Sequence, residues 1–477
     1  MPHVVPDPNT LETVHVMGIA GTAMAALAGM LKDAGFAVTG SDTGVYPPMS
    51  TYLEGLGIDV MEGFVAANLD HNPDLVIIGN VVRAVYEEAK AVIARDLPYA
   101  SFPEAFGELF LRDAHSIVVA GTHGKTTTTA VVANLLDAAG LQPGFLIGGI
   151  AKNFDRTARR GDGRVFVIEG DEYDTAFFDK GPKFLHYRPK TCILTSVEFD
   201  HADIYRDLDH VKESFRKLVA IMPTDGTLIV RGDDAGAADV SAGASCAVWT
   251  YGPGQEWDGQ VDAVDTTRGT MTFTVTRAGS PIGTWVTSLV GTHNLYNQVA
   301  ATAAAVAAGV DPGELPEGFS TFAGIKRRQE IVGEPGGVTV IDDFAHHPTA
   351  VKVTLEALRQ RFGGRRLWAV WEPRSATSRR NTFQDQYAQA FDTADEVIIA
   401  QPFRQEGIPA EERFRSDTLV HALTDRGVNA ITLPDADAIA ATVALRAHPS
   451  DVVAVLSNGA FDGLHSKLIE RLTLRFA

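Results

Sequence analysis

The sequence predicts an α/β protein built as three successive domains, and three observations lead there. The chain has 477 residues, more than the roughly 250–300 over which a single core grows, and about 150 residues per domain gives about three. Short apolar runs alternate with helical patterns in three successive segments, as in parallel sheets covered by helices. Two glycine loops each join an apolar run to a helix, where such sheets receive phosphate groups. The expected boundaries are 1–113, 114–323 and 324–477.

In the first segment Val14–Met17 reads as a strand and Thr22–Ala34 as a helix, with later strands at Ala37–Thr39, Leu75–Ile78 and Pro98–Ala100. The second opens on the apolar run Ser116–Ala120, a glycine loop and a long helix from Lys125 to Ala139. Arg164–Ile168, Cys192–Ser196 and Thr227–Val230 continue its sheet. Between Ala247 and Leu289, alternating Val, Thr and Phe with glycine turns predict a small antiparallel addition, and an alanine-rich helix at Leu295–Ala308 closes the segment. In the third, Val338–Ile341, Arg366–Trp371, Glu396–Ala400 and Val452–Leu456 read as strands with helices between.

Hydrophobic residues are 45% and charged residues 21% of the chain, the balance of an ordinary globular protein. Sixty acidic and 41 basic side chains give a net charge of −19. That balance argues against a nucleic-acid partner, which needs a basic face to displace counterions. It leaves room for anionic small ligands, because local amides and lysines override a net field. Two cysteines, Cys192 and Cys246, are too few for a disulfide framework or a cysteine zinc site. The longest apolar stretch, Met17 to Leu31, is shorter than the roughly 20 residues of a membrane span. Asp7 and Glu12 precede it, which does not suit a signal peptide. A cytoplasmic protein with no membrane partner is expected.

The strongest motif is Gly121-Thr122-His123-Gly124-Lys125-Thr126-Thr127. It follows an apolar strand and opens a helix, as a phosphate loop must. Its glycines let backbone amides turn toward phosphate oxygens, Lys125 reaches the terminal phosphates, and the Thr126 hydroxyl suits Mg²⁺. Two acidic groups, Glu169-Gly170-Asp171-Glu172 and Glu198-Phe199-Asp200-His201, end the following strands, the position of ligand-binding groups in open α/β sheets. The other loop, Gly18-Ile19-Ala20-Gly21-Thr22, is followed about 20 residues on by Ser41-Asp42, where a dinucleotide fold keeps its ribose-binding acid. It supports a pyrophosphate at a helix N-terminus, from NAD or from a UDP-sugar. An NAD-dependent oxidoreductase would use only this loop, and an ATPase switch only the other.

Two phosphate loops on successive α/β domains, together with Gly-Thr-His-Gly-Lys-Thr-Thr, resemble the Mur ligase family of peptidoglycan enzymes over nearly the whole chain. The resemblance extends to Gly44-Val45-Tyr46-Pro47-Pro48-Met49-Ser50, to the stretch from Glu172 to Lys180, to the stretch from Glu198 to Tyr205, and to Asp342-Asp343-Phe344-Ala345-His346-His347-Pro348. Glu372-Pro373-Arg374-Ser375 and Ser457-Asn458-Gly459 complete it. The likeness implies a Rossmann-like N-terminal domain, a central P-loop ATPase-type domain carrying the antiparallel addition, and a Rossmann-like C-terminal domain. It implies an ATP- and Mg²⁺-dependent amide ligase that joins UDP-N-acetylmuramate to L-Ala-γ-D-Glu-meso-diaminopimelate through an acyl phosphate, as in cell-wall recycling. The alternative is the branch that adds L-alanine alone, whose members usually have Tyr-Gly where this chain has Phe344-Ala345.

Residue by residue, the resemblance implies that Gly18, Ala20, Gly21 and Thr22 hold the UDP-sugar pyrophosphate, with Ser41 and Asp42 near the uridine. It implies ATP on Gly121 through Thr127, with Asn294 and Asn297 near the adenine, Arg327 or Arg328 on the γ-phosphate and Asp343 on the ribose. Thr126, Glu169 and His201 would surround Mg²⁺. His201 and His346 would be the candidates for taking the amine proton, and Arg374, Ser375 and Thr377 would face the peptide carboxylates. Gly170 stands where the family pattern has Ala. Ser375-Ala376-Thr377-Ser378 departs from the expected Asn and Met, and Lys217 does not align with the family's carbamylated lysine.

Overall fold

A computed structural model describes residues 5–47 and 49–477; Pro48, part of one of the strings above, lies outside the described residues. The chain forms three sheets, each within one of the three segments. The first has five parallel strands, in spatial order Val60–Glu62, Ala37–Asp42, Thr13–Met17, Leu75–Ile78, Tyr99–Ser101. Thr13–Met17 has neighbours that come later in the chain on both sides, so the strand order reverses there. The loop that leaves its C-terminal end, from Gly18 to the helix Thr22–Asp33, therefore sits at the crevice where such sheets bind ligands.

The central sheet has ten strands. His115–Ala120 lies between Thr191–Leu194 and Val165–Gly170, again a reversal point, and from it the chain enters the phosphate loop. Its side chains alternate between two cores: Ile117 and Val119 join one, Val118 and Ala120 the other. A strand covered on both faces has to read as the unbroken apolar run seen in the sequence. The helices Lys125–Ala138 and Thr292–Ala307 pack together on one face. Ala300, Ala301, Ala303, Ala304 and Ala305 are buried.

The antiparallel addition is not a separate piece. Ala247–Tyr251 pairs parallel with Thr227–Arg231. Trp257–Asp265, Thr270–Arg277 and Ser280–Thr287 then extend the same sheet as an antiparallel meander. Two further strands, Gly144–Ala151 and Arg156–Arg159, close the opposite edge. The sequence reading missed them because Gly144, Gly148 and Gly149 interrupt the apolar pattern.

The third sheet has six strands, with Val452–Leu456 between Thr339–Asp343 and Leu367–Trp371. Its edge strand Glu330–Gly333 is antiparallel, and Asn429–Leu433, also absent from the sequence reading, forms the other edge. The C-terminal ends of its three central strands lead into Asp343-Phe344, Glu372-Pro373-Arg374 and Ser457-Asn458-Gly459. That explains why those strings, far apart in sequence, belong to one edge of one domain.

The first two domains share a core: Phe106 of the helix Phe102–Leu109 meets Phe166 edge-on at 5.4 Å and Tyr187 at 6.4 Å. A Cβ at Gly107 would collide with the His186 carbonyl, so the helix sits against the central domain at the closest approach a backbone allows. No helix among the described residues is long and apolar enough to cross a membrane.

Candidate active site

The phosphate loop is shaped by its own domain. Gly121 has φ +129°, and a Cβ there would strike the Thr195 hydroxyl. Gly124 has φ +81° and faces Asn297 Oδ1, which a Cβ would meet at 2.8 Å. Both positions need glycine for conformation and for space. The Thr122 amide donates to Ser196 O at 2.9 Å, the Glu198 amide donates to the Thr122 hydroxyl at 2.9 Å, and the His123 amide donates to Ser196 Oγ at 3.1 Å. The loop is thus pinned to the strand end that carries the second acidic group.

Lys125 donates to Gly121 O at 2.6 Å and to Glu172 Oε2 at 2.9 Å. Burial opposes its charge, but Glu172, Asp171 and Glu169 outweigh burial and hold its pKa above the ordinary value. Glu172 is 3% exposed. Burial works against its ionisation, and Lys125 and His201 reverse that, keeping its pKa low. Asp171 is ionised in the same way, by Lys183 and Lys125 acting against burial. Glu169 is the exception: burial and the neighbouring Asp171 raise its pKa.

Thr126 Oγ1 lies 3.0 Å from Glu169 Oε1, and Glu169 Oε2 accepts the Gly148 amide at 2.7 Å. Two hard oxygens at this separation match adjacent corners of an Mg²⁺ octahedron, where bonds of about 2.1 Å set oxygens about 3 Å apart. Lys125 and Arg328 favour the ionised form of Glu169 but do not outweigh its burial and Asp171. These residues fit the ion. His201 is placed differently: its Nε2 lies 3.5 Å from Glu172 Oε1, and Glu169, Glu172 and His201 do not converge as a three-ligand cluster among the described residues. In this arrangement His201 belongs to the Lys125–Glu172 pair rather than to the Thr126–Glu169 pair.

A cavity of about 530 Å³ runs along this loop and is walled on its far side by the third domain. Arg328 Nη2 donates to Thr126 Oγ1 at 3.1 Å, Thr349 Oγ1 to Glu198 Oε2 at 2.8 Å, and Thr377 Oγ1 to Asp200 Oδ1 at 2.8 Å. The third domain is therefore closed onto the second. Asn294, Asn297, Asp343 and His346 line the same cavity. Asp343 spends its oxygens on the Gln329 and Ala345 amides, both at 2.8 Å, so it also fixes the loop that carries His346. The His346 ring donates from Nδ1 to Phe344 O at 3.1 Å, and its Nε2 lies 3.8 Å from Asp200 Oδ2. Burial lowers its pKa, against the pull of Asp200.

Four further residues are placed otherwise than expected. Arg327 is not brought into the cavity: its guanidinium donates to Ser457 O at 2.6 Å and Gly459 O at 2.8 Å, and lies 3.3 Å from Asp342. Its left-handed φ of 63° turns the chain so that Arg328, and not Arg327, faces the phosphate loop. Thr377 does not face outward to a peptide; it is 3% exposed and latches onto Asp200. Ser375 is turned to Ser378, with Oγ–Oγ 2.9 Å. Arg374 lies over the Phe403 ring at 3.8 Å and donates to Glu372 at 3.2 Å, and Gly459 leaves the space for its side chain.

At the first loop, Asp42 Oδ2 accepts the Ala20 amide at 2.9 Å, and Oδ1 accepts the Thr43 amide at 2.7 Å. The Ser41 carbonyl accepts the Gly18 amide at 2.8 Å, while the Ser41 hydroxyl is buried without a partner. These two residues shape the loop. Glu172 and Asp200 belong to the acidic groups expected at the strand ends as a metal shell, but here they hold Lys125 and Thr377; Thr349 is not among the expected residues. A threonine two residues after His347 carries no signal until the domains are seen closed.

Three parallel-sheet domains, with a lysine-bearing phosphate loop at the closed seam of the second and third, define a multidomain nucleotide-dependent enzyme. The chain belongs to the Mur ligase family: residues 13–113 match the Mur ligase family catalytic domain, 119–305 the Mur ligase middle domain, and 327–459 the Mur ligase glutamate ligase domain. It is 41% identical over 460 residues to the UDP-N-acetylmuramate–L-alanyl-γ-D-glutamyl-meso-2,6-diaminoheptandioate ligase of Escherichia coli K12, covering 96% of this chain and 98% of that one. The UDP-N-acetylmuramate–L-alanine ligase of Alkaliphilus metalliredigens is 32% identical over 394 residues, covering 82% and 83%. Among solved structures, a murein peptide ligase from Psychrobacter arcticus superimposes with a TM-score of 0.69 at 35% identity, covering 97% of this chain and 99% of that one.

Proposed function

We propose that this chain is an ATP-dependent amide ligase joining UDP-N-acetylmuramate to L-alanyl-γ-D-glutamyl-meso-diaminopimelate, working in the cytoplasm in the recycling of cell-wall peptide. The observation that carries the reading is the 41% identity, over 98% of its length, to a ligase of that name, against 32% over 83% for an L-alanine ligase. Phe344-Ala345, in place of the Tyr-Gly usual in alanine-adding members, agrees with it.

The first step is attack of the muramyl lactyl carboxylate on the γ-phosphoryl group, releasing ADP and forming an acyl phosphate. This chain contributes positioning and charge: the loop amides and Lys125 face the phosphates, and Arg328 reaches the same place from the third domain. Thr126 and Glu169 would hold Mg²⁺, which neutralises charge on the phosphate oxygens when bound. The peptide amine must be neutral before it attacks the acyl carbon and phosphate leaves. His346, which lines the cavity, whose Nδ1 donates to Phe344 O and whose burial biases the ring toward its neutral form, accepts that proton. Closure through Thr377–Asp200 and Thr349–Glu198 keeps water from the acyl phosphate. Arg374, anchored to Glu372 through Nη1, would turn the rest of its fork to a peptide carboxylate at this strand end.

The test supplies UDP-N-acetylmuramate and ATP with either free L-alanine or the tripeptide, and reads coupled product by mass spectrometry. Product with the tripeptide is expected. Product with free alanine only would assign the chain to the alanine-adding branch.

A further inference from the structure

Beside the phosphate loop lies a cluster of metal-ligating side chains, of which the reaction above uses only Glu198, through its bond to Thr349. His123, Glu198 and His347 offer donor atoms that all lie within 4.8 Å of one another. His123 comes from the phosphate loop, Glu198 from the end of a central-sheet strand, and His347 from the third domain. Glu198 Oε2 is 3.4 Å from His123 Nε2 and 3.8 Å from His347 Nδ1. The two imidazole rings are 4.7 Å apart, tilted by 42°.

We propose that His123, Glu198 and His347 form a binding site for a borderline-soft divalent cation of the Zn²⁺ class, which bridges the phosphate loop and the third domain. Three features carry it. Zinc bonds of about 2.0–2.1 Å in a tetrahedron place neighbouring ligand atoms about 3.3 Å apart; two of the separations here are 3.4 and 3.8 Å, so small side-chain rotations bring the atoms onto a common centre. Two imidazoles and one carboxylate are a ligand set of open zinc sites and a poor one for Mg²⁺, which takes oxygen. The His347 ring is also short of partners for its depth. It is 5% exposed, its Nδ1 accepts only a long 3.3 Å bond from the Thr349 amide, and its Nε2 is buried with none. A cation would take the Nδ1 lone pair in place of that long bond, beside the Glu198 oxygen that accepts from Thr349 Oγ1 at 2.8 Å. The fourth position opens to the cavity that both His123 and His347 line, where water or a phosphate oxygen would complete the shell.

The site differs from the Thr126–Glu169 pair in ligand chemistry and in needing the third domain. Co²⁺ is the probe, added to the full chain without nucleotide or Mg²⁺ and followed by visible absorption. The expected result is one Co²⁺ per chain with the intense bands of a four- or five-coordinate site containing nitrogen, displaced by Zn²⁺. His347→Ala and, on a different element, His123→Asn each weaken binding at least ~100-fold, whereas Glu169→Gln leaves the bands in place. Circular dichroism establishes that each variant is folded. A fluorescent pair on the second and third domains should report a narrower separation with Zn²⁺ in wild type and no change in His347→Ala. Weak six-coordinate spectra, bands untouched by both histidine variants, or bands lost in Glu169→Gln would overturn the proposal.

Discussion

The two glycine loops start from the same local design and end as different devices. Each leaves the central strand of a parallel sheet at its reversal point and runs into the N-terminus of a helix, Thr22–Asp33 in one and Lys125–Ala138 in the other. The first is neutral and is shaped by a single carboxylate, Asp42, tied to the Ala20 and Thr43 amides. The second carries Lys125, set against the carboxylates of Glu172, Asp171 and Glu169. A loop that only has to hold a diphosphate needs amides and a helix end. A loop that must transfer a phosphoryl group needs a mobile cation and a place for a metal. The acidic groups also favour the charged form of Lys125 and, with the Gly121 carbonyl, hold its ammonium over the loop.

The largest break in this comparison is Lys125→Ala. It should lower the ligation rate by at least ~10²-fold, as removal of an electrostatic contact to a transition state does, while titration with UDP-N-acetylmuramate shows unchanged affinity. Parallel loss of UDP-sugar affinity would mean that the two loops are not independent.

Next is Glu172→Gln, which leaves Lys125 without its nearest buried counter-charge. The loss should be about 3 kcal/mol, typical of breaking a buried pair, read as a lower melting temperature. ATP should raise that temperature more in the variant than in wild type, because phosphate oxygens replace the missing charge. Asp42→Ala is smaller. Losing hydrogen bonds worth about 1–2 kcal/mol in all should raise KM for the UDP-sugar about tenfold with kcat unchanged, the pattern of lost uniform binding.

A pH-dependent effect concerns the wall of the second loop's cavity. Burial pushes the His293 ring down to about 4, below the usual 6.5 of an unfolded chain. The folded protein therefore disfavours the protonated ring. Its stability is full above pH 6.5 and declines as pH falls from 6.5 toward 4, where the unfolded state binds the extra proton. Melting temperatures across that window should fall less steeply in His293→Gln.

The strand–loop–helix units were legible because their signals are local. An apolar run buried on both faces, a glycine that must take positive φ and a helix-forming stretch lie within about twenty residues of one another. Leu75–Ile78, Glu396–Ala400 and Val452–Leu456 have the expected limits for that reason. The edge strands Arg156–Arg159, Glu330–Gly333 and Asn429–Leu433 were not legible, because a strand on a sheet edge is only partly buried and need not be continuously apolar. Within the site, the sequence offered Lys125, Thr126 and Glu169 as a group, and the structure brings them together around one cavity.

What the sequence determined by itself was the number of sheets, the places where loops meet helix N-termini and the chemistry that Gly-Thr-His-Gly-Lys-Thr-Thr can support. The tertiary structure decided the pairings. Arg328 and not Arg327 meets Thr126, because one left-handed residue sends adjacent side chains to opposite sides. Thr377 meets Asp200 and Thr349 meets Glu198 because the third domain closes on the second, across 177 and 151 residues of chain. Such contacts depend on how two separately folded sheets are set against each other, and no periodicity along the chain encodes that angle.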